Sequence, residues 1–507
     1  MISNAISLMI AVPLIGAVLS FLTRTRAQAR IVALVASLIP LALSLQMFME
    51  FDKTSKIMQF VESYEWVPSI GVKYTLGVDG IGFPLVLLST IVSVLVIIYS
   101  WGEDKRPNQF FGLLLLNEVG VLGVFTALDF FLFYIFWEIV LIPMFFLIGI
   151  WGGPRKDYAA VKFFIYTHVA SLVMLLAIFA LYFTYTMPDG SRTFDMLTLI
   201  QATSNTAIFP TSLLNIIFAG LLLGFLVKMP AVPFHTWLPD AHVEAPTAGS
   251  VVLAALLLKM GGYGLFRVIL PMLPNVDKMF VTVIAVIAVL SIVYGAFLAL
   301  AQKDLKKLVA YSSVSHMGFV TLGSVAVLGA SAPFLSLQGA MFQQFSHGLI
   351  TCVLFMSAGT IQHSVGTRII ADLGGLADRM PRFAFLMMAG FLASLGLPGM
   401  SGFVAEFLVL TGSYATMPTA TMIVIFGGVA VTAGYHLWAA QKVLFGPILK
   451  KYLNVHDAHS YELLSMSLII ILVLLFGLQP ALITDIMGVA AEQLMEPVMT
   501  LAQMGVI

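Results

Sequence analysis

The sequence predicts an all-α polytopic membrane protein of about fourteen transmembrane helices, containing two inverted five-helix repeats that each hold a broken helix. Three observations predict it. Of 507 residues, 60% are apolar and 10% charged, whereas a soluble domain carries about 25% charged residues. With a mean hydropathy of +1.01, most of the chain must face lipid or other membrane helices. Apolar runs of about 20 residues, the length of one bilayer crossing, recur along the whole chain. Two of these runs are interrupted by proline, at Pro230 and Pro398.

In order, the crossings fall near 3–22, 31–49, 82–101, 110–128, 129–150, 160–184, 207–228, 246–269, 279–301, 308–329, 333–361, 383–412, 420–445 and 461–482. The first is followed by Arg24, Arg26 and Arg30 and shows no small-residue cleavage site, so it reads as a helix rather than a removed signal peptide. Between crossings 2 and 3, from Glu50 to Asp79, VESYEWV and VKYTLGV alternate as strands do, which predicts a small external hairpin. Loop by loop, seventeen Lys and Arg lie on one side and six on the other, Arg267 among the six and Lys162 and Lys306 among the seventeen. The basic side is expected to be cytoplasmic. With an even number of crossings both termini then lie outside, and the acidic tail of Asp485, Glu492 and Glu496 agrees.

Pro230 and Pro398 are 168 residues apart, and crossings 4 and 9 start about 169 apart. The breaks therefore occupy matching places in successive five-helix blocks. Five is odd, so the blocks have opposite membrane orientation, the pattern of transporters with paired broken helices. The expected organisation is 1–109 with three helices and the hairpin, 110–269 and 279–445 as the repeats, and 446–507 as helix 14 and a tail.

Several functions are excluded. Zero formal charge and no long basic run argue against nucleic acid. Cys352 is the only cysteine, which rules out an internal disulfide, an iron–sulfur cluster and a CxxC pair. No G-x-G-x-x-G opens a βαβ unit and no Walker motif occurs, so no site for NADH, flavin or ATP is expected on the chain.

The informative residues are ionisable ones where lipid should be. Glu118 lies mid-segment in crossing 4, and Glu138 mid-segment in crossing 5, within FFLFYIFWEIVLIPMFF. A charge at the bilayer centre costs roughly 2.5–3.5 kcal/mol, so such residues face a partner or a water-filled path. The plainer alternative is a protonated glutamate bonded between helices. Lys259, in AALLLKMGGYG of crossing 8, poses the same problem with opposite sign. Burial and a nearby carboxylate act on a lysine in opposite senses, so a buried Lys–Glu pair can be tuned to exchange a proton near neutral pH. Lys228 has two readings: snorkelling to the surface, or a buried place at a helix broken by Pro230 and Pro233, where freed carbonyls line a hydrated cavity. Crossing 12 breaks in LGLPGMSGFVAEF and then carries Glu406. His168, His316 and His347 lie within apolar segments and can pass a proton between their ring nitrogens, or serve as hydrogen-bonded structural residues. The spacing of His235 with His242 and of His456 with His459 makes a weak metal pattern, and no metal is expected.

The stretches KMPAVPFHTWLPDAHVEAPTAGSVVLAALLLKMGGYGLFR from Lys228 and KDLKKLVAYSSVSHMGFV from Lys303, with GVDG near Asp79, resemble the M-chain (mitochondrial subunit 4 type) of respiratory complex I, the proton-translocating NADH:quinone oxidoreductase. The resemblance covers essentially the whole chain. It implies an antiporter-like membrane-arm subunit that holds no cofactor itself, with flavin, iron–sulfur clusters and quinone on other subunits. Its implied partners are homologous antiporter-like subunits, a lateral connecting helix, lipid and protons. Residue by residue, Glu138 is similar to the glutamate that modulates a neighbouring lysine, Lys228 to the broken-helix lysine that holds the proton, and Lys259 to the connecting lysine. His316 is similar to a connecting histidine, Glu406 to the exit-side residue of helix 12, and Glu118 to an accessory acid; His347 joins them as a candidate relay. Helix 12 carries Glu where sister subunits carry Lys, which supports the M type. The expected location is a bacterial inner (plasma) membrane, with an organelle inner membrane as the alternative. The rival expectations are a subunit of a cation/proton antiporter or membrane-bound hydrogenase, and a passive scaffold.

Overall fold

The computed structural model describes residues 4–326 and 333–503. Ser3, residues 327–329 of the tenth expected crossing and the last residues of the tail lie outside the described residues. The crossings are α1 (Ala5–Leu22), α2 (Arg26–Glu50), α3 (Gly82–Gly102), α4 (Pro107–Thr126), α5 (Phe130–Trp151), α6 (Lys156–Thr184) and α7 (Thr211–Lys228). There follow α8 (Thr247–Asn275), α9 (Met279–Leu300), α10 (Leu305–Val325) and α11 (Phe334–Val365). The twelfth, α12, consists of two half-helices, Pro381–Ser394 and Ser401–Thr416. Then come α13 (Pro418–Leu444) and α14 (Ser460–Leu478). Among the described residues, thirteen helices long enough to span, with the broken α12, account for the expected fourteen. The tail forms a further helix, α15 (Ala481–Gln503), which hydropathy did not separate from loop.

Capping residues set several starts. Thr25 and Gln28 form a reciprocal capping box on α2, Asp129 caps α5 and Asp304 caps α10, each supplying an acceptor to otherwise unpaired N–H groups. The expected hairpin is present as β1 (Gln59–Val67) paired antiparallel with β2 (Val72–Val78). The hairpin and the loop leading into it tie α1 and α15 to one side: Ile6 N donates to Glu62 (2.8 Å), while Lys53 reaches Asp485 at 3.6 Å and Lys56 reaches Glu496 at 2.6 Å on α15. On the opposite side the basic loops interlock, with Lys105 donating to the Ile150 carbonyl (2.5 Å) and Arg368 paired with Asp304 (2.6 Å).

Both breaks are present. After α7 the chain turns and resumes as a short helix, Trp237–Glu244. The Trp237 indole donates back to the Val227 carbonyl at 3.0 Å, and Val232 N donates to Ser291 Oγ of α9 at 2.9 Å. Between the halves of α12, Gly396 and Gly399 have φ of +82° and +93°, a left-handed backbone that glycine adopts without penalty.

α3, α4, α8 and α10 are the innermost helices, while α2, α6, α9, α13 and α14 form the perimeter. α8 extends to Asn275, beyond its expected end at 269, and carries π turns at Leu253–Leu257 and Leu265–Ile269, a feature common at functional sites. Several residues counted as loop bases belong to helices, and three of them are held there by specific contacts. Arg267 is buried in α8 and paired with Asp79, Lys306 is buried in α10 and donates to the Ala245 carbonyl (2.5 Å), and Lys162 of α6 pairs with Asp240 (2.6 Å). Hydropathy windows blur helix ends, so charges within a turn or two of an end are counted with the loop.

Candidate functional site

The central position of α8 follows from its glycines. A Cβ at Gly261 would lie 2.5 Å from the Phe225 carbonyl of α7, and one at Gly262 would lie 2.5 Å from Gln344 of α11. Only hydrogen at these positions lets α8 wedge between the two helices. Lys259, two residues earlier, is thereby fully buried.

From Lys259 a row of ionisable side chains crosses four helices. Lys259 Nζ donates to the Ala254 carbonyl of the first π turn (2.9 Å) and lies 2.5 Å from His347 Nδ1 on α11. The His347 and His316 rings are 5.5 Å apart between centroids. On α10, His316 Nδ1 lies 2.9 Å from Glu406 Oε1, and its Nε2 lies 3.2 Å from Ser394 Oγ. Ser394 ends the first half of α12 and Glu406 belongs to the second, so one imidazole spans the break. Gln343 borders it, with Nε2 3.5 Å from His316 Nδ1. All four members of the row are buried.

A second group stands on α5, α6 and α7. Pro143 has no N–H for the Ile139 carbonyl, and α5 is divided at Val140, between Phe130–Ile139 and Leu141–Trp151. Glu138 lies in the turn just before that bend. Its Oε2 is 2.8 Å from His168 Nδ1, and its Oε1 accepts from Ser171 Oγ, both on α6. Lys228 ends α7 and is 2% exposed, which settles the snorkelling alternative in favour of burial. Its ammonium makes no hydrogen bond and lies over the Trp137 ring, 5.2 Å from the centroid, a cation–π contact. Glu118, buried in α4, faces a small pocket shared with Ser93 and makes no hydrogen bond of good geometry.

The structure therefore joins Lys259, His347, His316 and Glu406 in one row, places Glu138 and Lys228 at neighbouring helix breaks, and leaves Glu118 apart. Sequence reasoning missed Trp137, Ser171, Gln343 and Ser394, which carry no charge to mark them in an apolar run. It weighed His242 only in a weak metal pattern with His235; the residue is fully buried with its ring stacked on Phe355 at 4.3 Å, and its neighbours include Lys259 and Lys306. A row of bases and acids at hydrogen-bond or ring-contact spacing can hold and hand on protons.

Residues 127–432 match the NADH:quinone oxidoreductase/Mrp antiporter transmembrane family. The chain is 50% identical over 485 residues to F(420)H(2) dehydrogenase subunit M of Methanosarcina mazei, covering 95% of this chain and 96% of that one. It is 42% identical over 479 residues to NADH-quinone oxidoreductase subunit M of Rhodobacter capsulatus, covering 92% and 90%. A chain in the structure of respiratory complex I from Thermus thermophilus with bound NADH superposes with a TM-score of 0.86 at 30% identity, covering 97% of this chain and 99% of that one. With the family match spanning more than half the sequence and relatives aligned over nearly all of it, the chain belongs to the NADH:quinone oxidoreductase/Mrp antiporter membrane family.

Proposed function

We propose that this chain is the antiporter-like, proton-pumping subunit in the membrane arm of an NADH:quinone oxidoreductase, driven by quinone reduction on other subunits that hold the flavin and iron–sulfur clusters. The observation that carries this reading is the buried row from Lys259 to Glu406, beside a lysine and a glutamate at adjoining helix breaks. A proton enters from the basic, cytoplasmic side near α7 and α8. It equilibrates between Lys228 and Lys259, passes His347 and His316, and leaves past Glu406. Approach of Glu138 favours the ammonium form of Lys228, and withdrawal favours the neutral amine, so rearrangement of this pair loads and unloads the row. Glu118, set apart from the row, is an accessory acid.

The paired breaks in α7 and α12, and the π turns in both α8 and α13 (Leu253–Leu257 and Ile425–Val429), support reading 110–269 and 279–445 as inverted repeats. The flanking parts are 1–109 and 446–507. Glu138 and His168 lie midway along their helices, yet their side chains are 22% and 36% exposed. Bare in lipid such a pair would be costly, which supports coverage by a neighbouring membrane subunit, antiporter-like in kind, with a lateral helix connecting them. The excess of basic residues on one side survives when those that belong to helices, Lys162, Lys306 and Arg267 among them, are left out. It supports both termini lying outside, in what we take to be a plasma membrane of bacterial type.

A second reading changes only the electron donor. The relative at 50% identity is a subunit of an F(420)H(2) dehydrogenase, which favours a complex fed by reduced F420 through the same arm. Purifying the tagged chain with its partners and assaying both donors separates the two.

The Glu138→Gln variant, assembled at normal level, is expected to lose donor-driven proton pumping. Pumping at the unaltered proton-to-electron ratio would remove the role given to Glu138.

A further inference from the structure

Glu138 follows Trp137, the residue whose ring lies under the Lys228 ammonium. Its carboxylate nonetheless points elsewhere. Both oxygens are taken by α6, Oε2 at 2.8 Å from His168 Nδ1 and Oε1 by the Ser171 hydroxyl, and Lys228 Nζ is left without a hydrogen bond. His168 and Ser171 are three residues apart, which puts both on the face of α6 turned to α5. The His168 ring is stacked on Phe164 one turn earlier, with centroids 5.4 Å apart and planes 17° apart, so the ring is held in the orientation that presents Nδ1 to the carboxylate. The ionisable groups around this point are Tyr134 and Glu138 of α5, His168 of α6 and Lys228 of α7.

We propose that His168 and Ser171 form a second seat for the Glu138 side chain, competing with Lys228, and that they are positioning residues of the proton-translocating module. In the seat seen here two hydrogen bonds from α6 hold the carboxylate while the Trp137 ring holds the ammonium. In the other seat the carboxylate gives up both bonds for an ion pair with Lys228. The exchange is a rotation of one side chain and moves no proton itself. It sets whether Lys228 is paired, and so whether it keeps its proton or hands it toward Lys259. Two alternative partners for one carboxylate make the element bistable, as a switch requires. This inference rests on the proton-translocating reading above.

The test uses the purified complex reconstituted in proteoliposomes, with the proton-to-electron ratio read beside the donor:quinone rate. The variant carrying both His168→Phe and Ser171→Ala is expected to assemble and lower the ratio several-fold. His168→Asn, whose amide can donate from nearly the place of Nδ1, is expected to keep most of it, because the seat needs a donor rather than a titrating group. In a Glu138→Gln background the paired substitution is expected to change neither the thermal midpoint nor the donor:quinone rate further. If the paired variant does not assemble, Ser171→Ala alone, which removes one hydrogen bond and little packing, is read by the same criterion. A normal ratio in these variants while Glu138→Gln is impaired overturns the second seat and leaves the pumping function standing. An equal drop in thermal midpoint and in donor:quinone rate in both backgrounds also overturns it, in favour of a purely structural role. Normal pumping by Glu138→Gln itself would fail the underlying reading as well.

Discussion

Arg267 illustrates what a single charge in this chain must satisfy. On α8 it is 6% exposed, its Nε donates to the Tyr263 hydroxyl (3.2 Å), and its guanidinium pairs with Asp79. Asp79 in turn accepts from Ile81 N (3.0 Å) and Gly82 N (3.1 Å) at the start of α3. Replacing one member of a buried pair leaves the other charge unpaired, at a cost of roughly 3–5 kcal/mol. Arg267→Met is therefore expected to lower the thermal midpoint of the purified complex clearly, and adding Asp79→Asn to recover part of it, since an amide oxygen still caps α3 without burying a charge. Unchanged melting of Arg267→Met would refute the clasp. The sequence marked Glu118, Glu138, Lys259 and Glu406 because a charge inside a long apolar run has few explanations. Arg267 and Lys306 escaped because they lie near run ends, where hydropathy cannot tell a helical turn from a loop. Ser394 and Gln343 escaped because a neutral polar side chain costs little to bury once bonded.

Among the elements, the breaks were readable in advance because Pro230, Pro233 and Pro398 interrupt runs that resume afterwards. What fills them was not. The Trp237 indole that satisfies Val227 and the His316 ring that spans α12 come from residues 10 to 90 positions away, and no local pattern announces such contacts. The π turns of α8 were equally invisible, since their sequence, LAALL and LFRVI, is ordinary apolar helix. The packing of α8 gives a direct test of the element. Gly261→Ala would press a methyl group against the Phe225 carbonyl and the Met229 Cβ, at 2.5 and 2.7 Å, and overpacking of this kind costs about 1–3 kcal/mol. The expected result is a lower denaturation midpoint together with slower pumping, because α7 and α8 carry Lys228 and Lys259. A variant that melts and pumps normally would show that the two helices tolerate separation.

Over the whole molecule, fourteen crossings arrange a few charges in a body that is otherwise apolar. The number of crossings, the hairpin and the excess of basic residues on one side were all legible, because bilayer thickness and loop charge are written in composition. The helix α15, strapped to the hairpin through Asp485 and Glu496, was read only as an acidic tail. The order of the buried row was not legible either, since it depends on which faces of α8, α10, α11 and α12 meet. That order carries the central claim: Lys259 stands where the Lys228 side of the path meets the histidines. The most direct measurement is the proton-to-electron ratio of the complex holding Lys259→Met, a substitution of similar length without charge, reconstituted in sealed vesicles. The expected result is an assembled complex that still reduces quinone, at a reduced rate, and moves fewer protons per electron; an unchanged ratio would contradict a proton path through this chain.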